Sequence, residues 1–253
     1  MCLLVMAVGQ SPEYPLILAG NRDEFHARPT DAAQWWSDKP DIVGGRDLEA
    51  GGTWLALNRA GRFATVTNYR DAAAVKSDLR SRGHLVTEFL ECDVPPLEYL
   101  EGIDAEAYAG FNLIAGDSSN VAYLSNRDGG VRELSPGIYG LSNALLDGPW
   151  DKVERSKQGI AALLRRNAIF EKTLLELLDD RTPGSVDENE AARLGEAAAR
   201  AITAPFIVTP EYGTRCSTVV TMDNKLQWRL LERRFDPKGE VSGESRLSFS
   251  SAA

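Results

Sequence analysis

The sequence predicts an α+β domain in which antiparallel sheets are covered by helices. Strand-like segments open the chain, recur in its middle and close it, and helical segments separate these three groups. Turns between neighbouring strand segments are short, which favours antiparallel pairing. This order is compatible with a four-layer αββα sandwich, although composition alone does not select it over other α+β arrangements. No repeat or linker interrupts the sequence, so we expect one domain over residues 1–253.

The N-terminal region is predicted to contain four strands. A hairpin pairs residues 2–9 with residues 15–21 through a turn rich in proline and serine. An irregular segment follows over residues 28–47. Two further strands are predicted at 51–57 and 62–68. Because short turns join them in pairs, we expect all four to form one antiparallel meander.

The rest of the chain carries both helical and strand patterns. Amphipathic patterns predict helices at 79–91, 96–109, 150–166, 168–180 and 187–202. Strands are predicted at 111–116, 121–124, 137–142, 215–222 and 226–234, with an edge strand at 247–249. The last four residues are expected to be loose.

Composition and charge restrict the classes of function. The chain has 28 basic and 37 acidic residues, a formal charge of −9, which argues against nonspecific binding to nucleic acid or anionic membranes. The apolar stretch 2–8 is far too short for a membrane span, and it lacks the basic segment and cleavage site of a secretory signal. We therefore expect a cytoplasmic protein with no integral membrane segment. The sequence predicts no oligomeric state.

Motifs for metal and cofactor chemistry are not found in the sequence. Three cysteines, at positions 2, 92 and 216, are too widely spaced for a disulfide framework or a paired metal motif. The sequence contains no HExxH, no phosphate-binding glycine loop and no G-x-S-x-G elbow. We accordingly expect neither a cofactor nor a metal ion.

Cys2 is the candidate nucleophile because it follows Met1 and opens the first strand. Removal of Met1 would give Cys2 a free α-amine with a pKa of about 7.7–8.0. Such an amine can accept the thiol proton, which is how N-terminal nucleophiles work. The alternative is a small apolar residue at the start of a core strand.

Further motifs accompany Cys2 in a fixed order along the chain. They are Asn21-Arg22-Asp23-Glu24, Gly44-Gly45-Arg46-Asp47, Gly51-Gly52-Thr53-Trp54-Leu55, Thr67-Asn68-Tyr69-Arg70, Gly140-Leu141-Ser142-Asn143 and Gly213-Thr214-Arg215-Cys216-Ser217-Thr218. Together they resemble the NRDE family, the proteins related to transport and Golgi organisation protein 2. The resemblance implies an N-terminal-nucleophile-hydrolase-like αββα fold. It links the chain to haem trafficking and to acyl-CoA and lipid homeostasis, but implies no settled reaction.

More distantly, the sequence resembles the cysteine-dependent choloylglycine hydrolases, which include penicillin V acylases. That resemblance implies an N-terminal Cys, an Arg and an Asp after the second strand, two Asn residues and a late Arg. The positions that match by motif are Cys2, Arg22, Asp23, Asn68, Asn143 and Arg215. The two patterns differ in one respect, because those enzymes separate the Arg from the Asp by two residues, whereas here the two are adjacent.

Each matched residue also has a structural interpretation. Neighbouring residues on a strand face opposite ways, so we expect Arg22 in the pocket and Asp23 in a structural role. Asn68 and Asn143 each end an apolar strand, where they are either turn residues or amide donors to an oxyanion. Arg215 is a surface charge unless the motif places it in the site.

Two functions follow from these observations. The first is an amidohydrolase or acyl-transfer enzyme that acts on a small-molecule amide or thioester, cleaving C–N bonds other than peptide bonds in the amide case. The second is a noncatalytic binding or trafficking protein for a hydrophobic anionic ligand such as haem or an acyl-CoA, in which Cys2 is a structural residue or a ligand contact.

Overall fold

The computed structural model describes residues 2–70 and 79–251. In chain order, its strands are β1 (Cys2–Val8), β2 (Leu16–Phe25), β3 (Thr30–Trp35), β4 (Ile42–Asp47), β5 (Leu55–Asn58), β6 (Phe63–Asn68), β7 (Phe111–Gly116), β8 (Val121–Ser125), β9 (Val131–Glu133), β10 (Gly137–Leu141), β11 (Tyr212–Met222), β12 (Gln227–Phe235) and β13 (Val241–Ser250). Its α-helices are α1 (Gly83–Leu90), α2 (Pro96–Glu101), α3 (Asp151–Arg165), α4 (Glu171–Leu178), α5 (Glu188–Leu194) and α6 (Glu196–Ala201), with a short 3₁₀ turn at Ala105–Ala107.

Within the described ranges the strands form two antiparallel sheets. The first has the order β10-β1-β2-β11-β12-β13, and the second follows the chain order from β3 to β9. In the first sheet, β2 lies between β1 and β11, so the N-terminal and C-terminal parts of the chain pair through it.

Three groups of buried side chains hold the layers together. One fills the space between the sheets, with Leu18, Phe63 and Trp228 among its members. A second packs α1 and α2 against the outer face of the second sheet, and a third packs α3 and α4 against the outer face of the first. This arrangement confirms the predicted four-layer αββα sandwich, since each sheet buries both of its faces.

The predicted N-terminal meander is wrong. β1 and β2 pair in the first sheet, whereas β5 and β6 pair in the second. The segment 28–47, expected to be irregular, supplies β3 and β4. Local turn signals correctly identified the two hairpins, but they carry no information about which sheet each hairpin joins.

Other differences are local. Gly195 adopts a φ of +82° and divides the predicted helix 187–202 into α5 and α6. β9 was not predicted. Ser251, expected to be loose, is buried, and its hydroxyl accepts a hydrogen bond from Trp228 Nε1 at 3.2 Å. In the described part of the chain, no helix has the length and apolar character needed to cross a membrane.

Candidate functional site

A partly open cavity of about 440 Å³ lies beside the N-terminal end of β1. Its wall includes Cys2, Arg22 and Asn68, together with the segment that leads into α1. The cavity therefore brings three of the predicted site residues to one surface. Asp23 also contributes to the wall, although its carboxylate makes its contacts elsewhere.

Strand register places Cys2 beside Arg22. Cys2 of β1 is the direct partner of Arg22 on β2, and Cys216 of β11 is the partner of Arg22 on the other side. Directly opposed residues share a face of the sheet, so Arg22 lies between two cysteines on the face that meets the second sheet. The hydroxyl of Ser142 donates a hydrogen bond of 2.7 Å to the Cys2 carbonyl and fixes the start of the strand.

The Cys2 thiol is in an apolar environment at the cavity wall. The residue is 9% exposed. Burial raises the pKa of the Cys2 thiol, while the positive charge of Arg22 acts in the opposite direction. The thiol is therefore protonated at neutral pH, and nucleophilic chemistry at this position needs a base.

The Arg22 side chain is buried but loosely held. Its Nη1 donates to Thr30 Oγ1 at 3.3 Å, and its Nη2 lies 3.8 Å from Glu24 Oε2 and 4.0 Å from Asp47 Oδ2. These are long contacts for a guanidinium, which can form short bidentate bonds with a carboxylate. The group keeps hydrogen-bonding capacity that an anion in the cavity can use.

The Asp23 carboxylate lies on the opposite face of β2, the face that packs against α4. Its Oδ1 accepts a 2.8 Å hydrogen bond from Thr214 Oγ1. Burial raises the pKa of Asp23 to about 6. The same region contains the buried Lys152 of α3. Burial lowers the pKa of Lys152 to about 8, and its Nζ donates a hydrogen bond to Ile202 O at 3.2 Å. The two opposite charges favour each other's ionised forms.

The two predicted amides form a connected unit. Asn143 is 1% exposed, and its Nδ2 donates to the Asn68 carbonyl at 2.7 Å. Asn68 itself is exposed at the cavity. Asn143 therefore fixes the backbone of Asn68, and the amide of Asn68 is the one of the two at the cavity wall.

Arg215 stands apart from the other predicted residues. It is the extra residue of a β-bulge between Thr214 and Cys216. Its Nη1 donates to the carbonyls of Phe25 and Arg28, at 2.8 and 3.1 Å. Arg215 is not among the described residues that line the cavity. Its guanidinium holds the loop that follows β2.

Two charged residues of this region were not predicted from the sequence. Lys152 falls within a predicted amphipathic helix, where a lysine normally indicates the solvated face. Arg82 lines the cavity just before α1, where a charge normally indicates the surface. Neither carried a local signal, because Lys152 is buried, and Arg82 half-buried, by parts of the chain distant in sequence. Across the described ranges, no group of three or more His, Cys, Asp or Glu side chains is placed to hold a metal ion.

Two stacked antiparallel sheets with outer helices, and a cysteine at the start of a central strand, define an N-terminal-nucleophile-hydrolase-like fold. Solved structures agree. A Clostridium perfringens conjugated bile acid hydrolase mutant matches with a TM-score of 0.55 and 9% identity, over 98% of this chain and 92% of that one. A Caenorhabditis elegans ortholog of N-acylethanolamine-hydrolyzing acid amidase matches with a TM-score of 0.51 and 14% identity, over 86% and 92%. At these identities the likeness shows the fold alone.

The sequence matches are closer. The family model "Transport and Golgi organisation 2" (TANGO2) matches residues 1–237, and the chain belongs to this family. The human Transport and Golgi organization protein 2 homolog is 36% identical over 97% of both chains. The Drosophila melanogaster Transport and Golgi organization protein 2 is 28% identical over 95% of both. The family resemblance inferred from the motifs is confirmed.

Proposed function

We propose that this protein is an N-terminal-nucleophile amidohydrolase or acyl-transfer enzyme whose nucleophile is the thiol of Cys2. The observation that carries the proposal is the position of Cys2. It begins a central strand in the wall of an open cavity, directly opposite a buried guanidinium. A structural cysteine needs burial, but it needs neither the cavity nor the cation.

The base would be the α-amine that Met1 removal leaves on Cys2. β1 runs antiparallel to β2, with Leu3 opposite Asn21 and Cys2 opposite Arg22, so the α-nitrogen of Cys2 lies toward Asp23 along β2. An amine at this end of β1 would therefore meet the buried carboxylate of Asp23. Because the pKa of Asp23 is about 6, the carboxylate is charged at neutral pH and can orient the amine.

The reaction would follow the acyl-transfer sequence of bond changes. The amine takes the proton from Cys2 Sγ, and the sulfur attacks the carbonyl carbon of an amide or thioester to form a tetrahedral intermediate. The amide of Asn68, held through Asn143, would stabilise the oxyanion. The protonated amine then gives its proton to the leaving amine or thiol, and water releases the acid from the acyl-enzyme.

Arg22 and Arg215 have different positions in this scheme. Arg22 lies in the cavity wall and would favour the thiolate and the negative end of a substrate. Arg215 would act indirectly, by holding the loop after β2.

A binding or trafficking function is the second candidate, favoured by the protonated Cys2 thiol in a cavity rich in arginine. This function would suit a hydrophobic anionic ligand such as haem or an acyl-CoA. Both histidines bond a backbone carbonyl through Nε2, His26 to Thr209 and His84 to Ala50, so an axial histidine to haem would have to use its Nδ1.

A pair of cysteine variants separates the two functions. The chain is prepared with Met1 removed, verified by intact mass, and screened against N-acyl amides and acyl thioesters. Cys2→Ser should abolish turnover. The matched control is Cys216→Ser, because Cys216 also pairs with Arg22 and lies on the same face of the sheet, and this variant should retain turnover. Ligand affinity that persists in Cys2→Ser without turnover in the wild type would support the binding function instead. Full activity of a chain that retains Met1 would refute the amine mechanism.

A further inference from the structure

The cavity beside Cys2 is lined by arginines from several parts of the chain. Within the described residues these are Arg22, Arg28, Arg46, Arg80 and Arg82. A cavity that collects this many guanidinium groups must neutralise them internally or bind anions. The partners of each arginine show whether the protein neutralises its charge or leaves it available to an anion.

Most of these cations already have a carboxylate within 4.0 Å. Arg28 Nε lies 2.8 Å from Asp47 Oδ2, and Arg46 forms a two-pronged pair with Asp38 at 2.5 and 2.9 Å. Arg80 is paired with a glutamate of α1, and Arg22 has the long contacts to two carboxylates described above. Their charges are wholly or partly compensated by the protein itself.

Arg82 is different. In the described part of the chain no carboxylate lies within salt-bridge distance of it, and its Nη1 donates a single hydrogen bond, to the Gly110 carbonyl at 3.0 Å. Burial lowers the pKa of the Arg82 guanidinium, while the nearby Cys2 and Glu24 oppose this change. The group is half-buried without a counter-ion among the described residues, and it lies within electrostatic range of the candidate nucleophile.

The backbone holds Arg82 firmly at this position. Arg82 immediately precedes α1, whose first residue, Gly83, packs directly on Gly52. A Cβ atom at Gly52 would lie 2.6 Å from the carbonyl carbon of Gly83, so only glycine allows this approach. The Gly51-Gly52 pair thus brings the start of α1, with Arg82, against the cavity wall.

We propose that Arg82 is a specificity-determining residue, which binds a carboxylate or phosphate on the substrate whose carbonyl reaches Cys2. This inference rests on the proposed function and narrows it to acyl compounds that carry an anionic group. Arg22, which also lines the cavity, would assist, since its contacts with the described side chains are long.

A matched pair of alkylating reagents tests the inference without a known substrate. Iodoacetate and iodoacetamide differ in charge, and both react by displacement of iodide by Cys2 Sγ to form a thioether. Rates are measured at Cys2 by peptide mass spectrometry, and the iodoacetate-to-iodoacetamide ratio removes any common effect on the thiol pKa. Arg82→Gln should lower this ratio about fivefold, as expected for one partly buried unit charge.

Two further variants make the result specific. Arg82→Lys keeps the charge and should retain the wild-type ratio to within about twofold. Arg46→Gln removes a cation that Asp38 already compensates, so its ratio should change much less than that of Arg82→Gln. An unchanged ratio in Arg82→Gln, or an equal fall in Arg46→Gln, would overturn the proposal.

Competition on the wild-type chain distinguishes the two anions and does not depend on a stable variant. Millimolar acetate should slow iodoacetate at Cys2 if the site takes a carboxylate, and inorganic phosphate should do so if it takes a phosphate. Protection by neither anion would overturn the proposal. A Cys2 that reacts with neither reagent would refute the nucleophile itself, whereas a reactive Cys2 with no charge preference would refute only the role of Arg82.

Discussion

Replacing Asp23 with Asn should change how the stability of the protein depends on pH. Asp23 is 2% exposed, and burial raises its pKa from 3.8 to about 6. Asp23→Asn removes the titration but keeps the shape of the side chain. The Asn side-chain oxygen can still accept the hydrogen bond that Thr214 donates. The variant therefore isolates the ionisation from the packing.

The sign and size follow from proton linkage. Between about pH 4 and pH 6 the folded protein holds a proton on Asp23 that the unfolded chain has released. Stability from this group is thus fully present below pH 4 and is lost as the pH rises through 6. A shift of about two pKa units corresponds to a change of about 3 kcal/mol in the free energy of unfolding.

Urea denaturation at pH 4 and pH 7 measures this effect in the wild type and in Asp23→Asn. From pH 4 to pH 7, the wild type should lose about 2.4 kcal/mol relative to the variant, less than the full value of about 3 because the unfolded chain is still partly protonated at pH 4. Asp47→Asn provides a control, because the contribution of Asp47 to stability is present across pH 4–7 and the variant should show nearly the pH dependence of the wild type. Burial alone would raise the pKa of Asp47, but the hydrogen bond from Arg28 lowers it overall. Equal pH dependence in wild type and Asp23→Asn would refute the reasoning, because the pKa of Asp23 would then be the same in the folded and unfolded states.

Two packing predictions test how the site is supported. Gly52→Ala should destabilise the protein by about 1–3 kcal/mol in urea denaturation, because the added Cβ would collide with Gly83. The control Gly130→Ala should leave the stability unchanged, because no atom lies within 4 Å of its Cβ position. Asn21→Ala should cost about 2–4 kcal/mol, because its amide makes two buried hydrogen bonds to backbone carbonyls and accepts a third from Ser217. Because Asn21 and Ser217 share a hydrogen bond, the double variant Asn21→Ala/Ser217→Ala should be destabilised by less than the sum of the two single variants. Full additivity in thermal unfolding would refute the network.

Much of the architecture could be predicted because its signals are local. The two apolar runs within residues 2–9 and 15–21, joined by a turn rich in proline and serine, predict a hairpin, and the observed β1 and β2 pair as expected. Helix α3, at Asp151–Arg165, lies within the predicted 150–166. Sheet membership is not local. β2 pairs with β11, nearly 200 residues later, and no turn signal encodes that contact.

The candidate site was predictable to the extent that it depends on strand register. Cys2 and Arg22 could be placed together because a short hairpin fixes which residues are opposite. Arg82 and Lys152 could not, since their burial depends on loops and helices that fold over them from elsewhere. The motif match assigned Arg215 to the candidate site, but Arg215 lies in a β-bulge and its guanidinium bonds the loop after β2.

The alternation along β2 explains why an arginine and an aspartate can be adjacent and still serve one site. Arg22 and Glu24 lie on the cavity side, while Asn21 and Asp23 lie on the side covered by helices. The guanidinium therefore lies on the face that carries the Cys2 thiol, and the carboxylate lies on the other face of β2. A register slip of one residue would exchange these faces and place the carboxylate beside the thiol. The hydrogen bonds of Asn21 to Leu178 and to the loop before β11 oppose that slip, so this asparagine helps to hold Cys2 opposite Arg22.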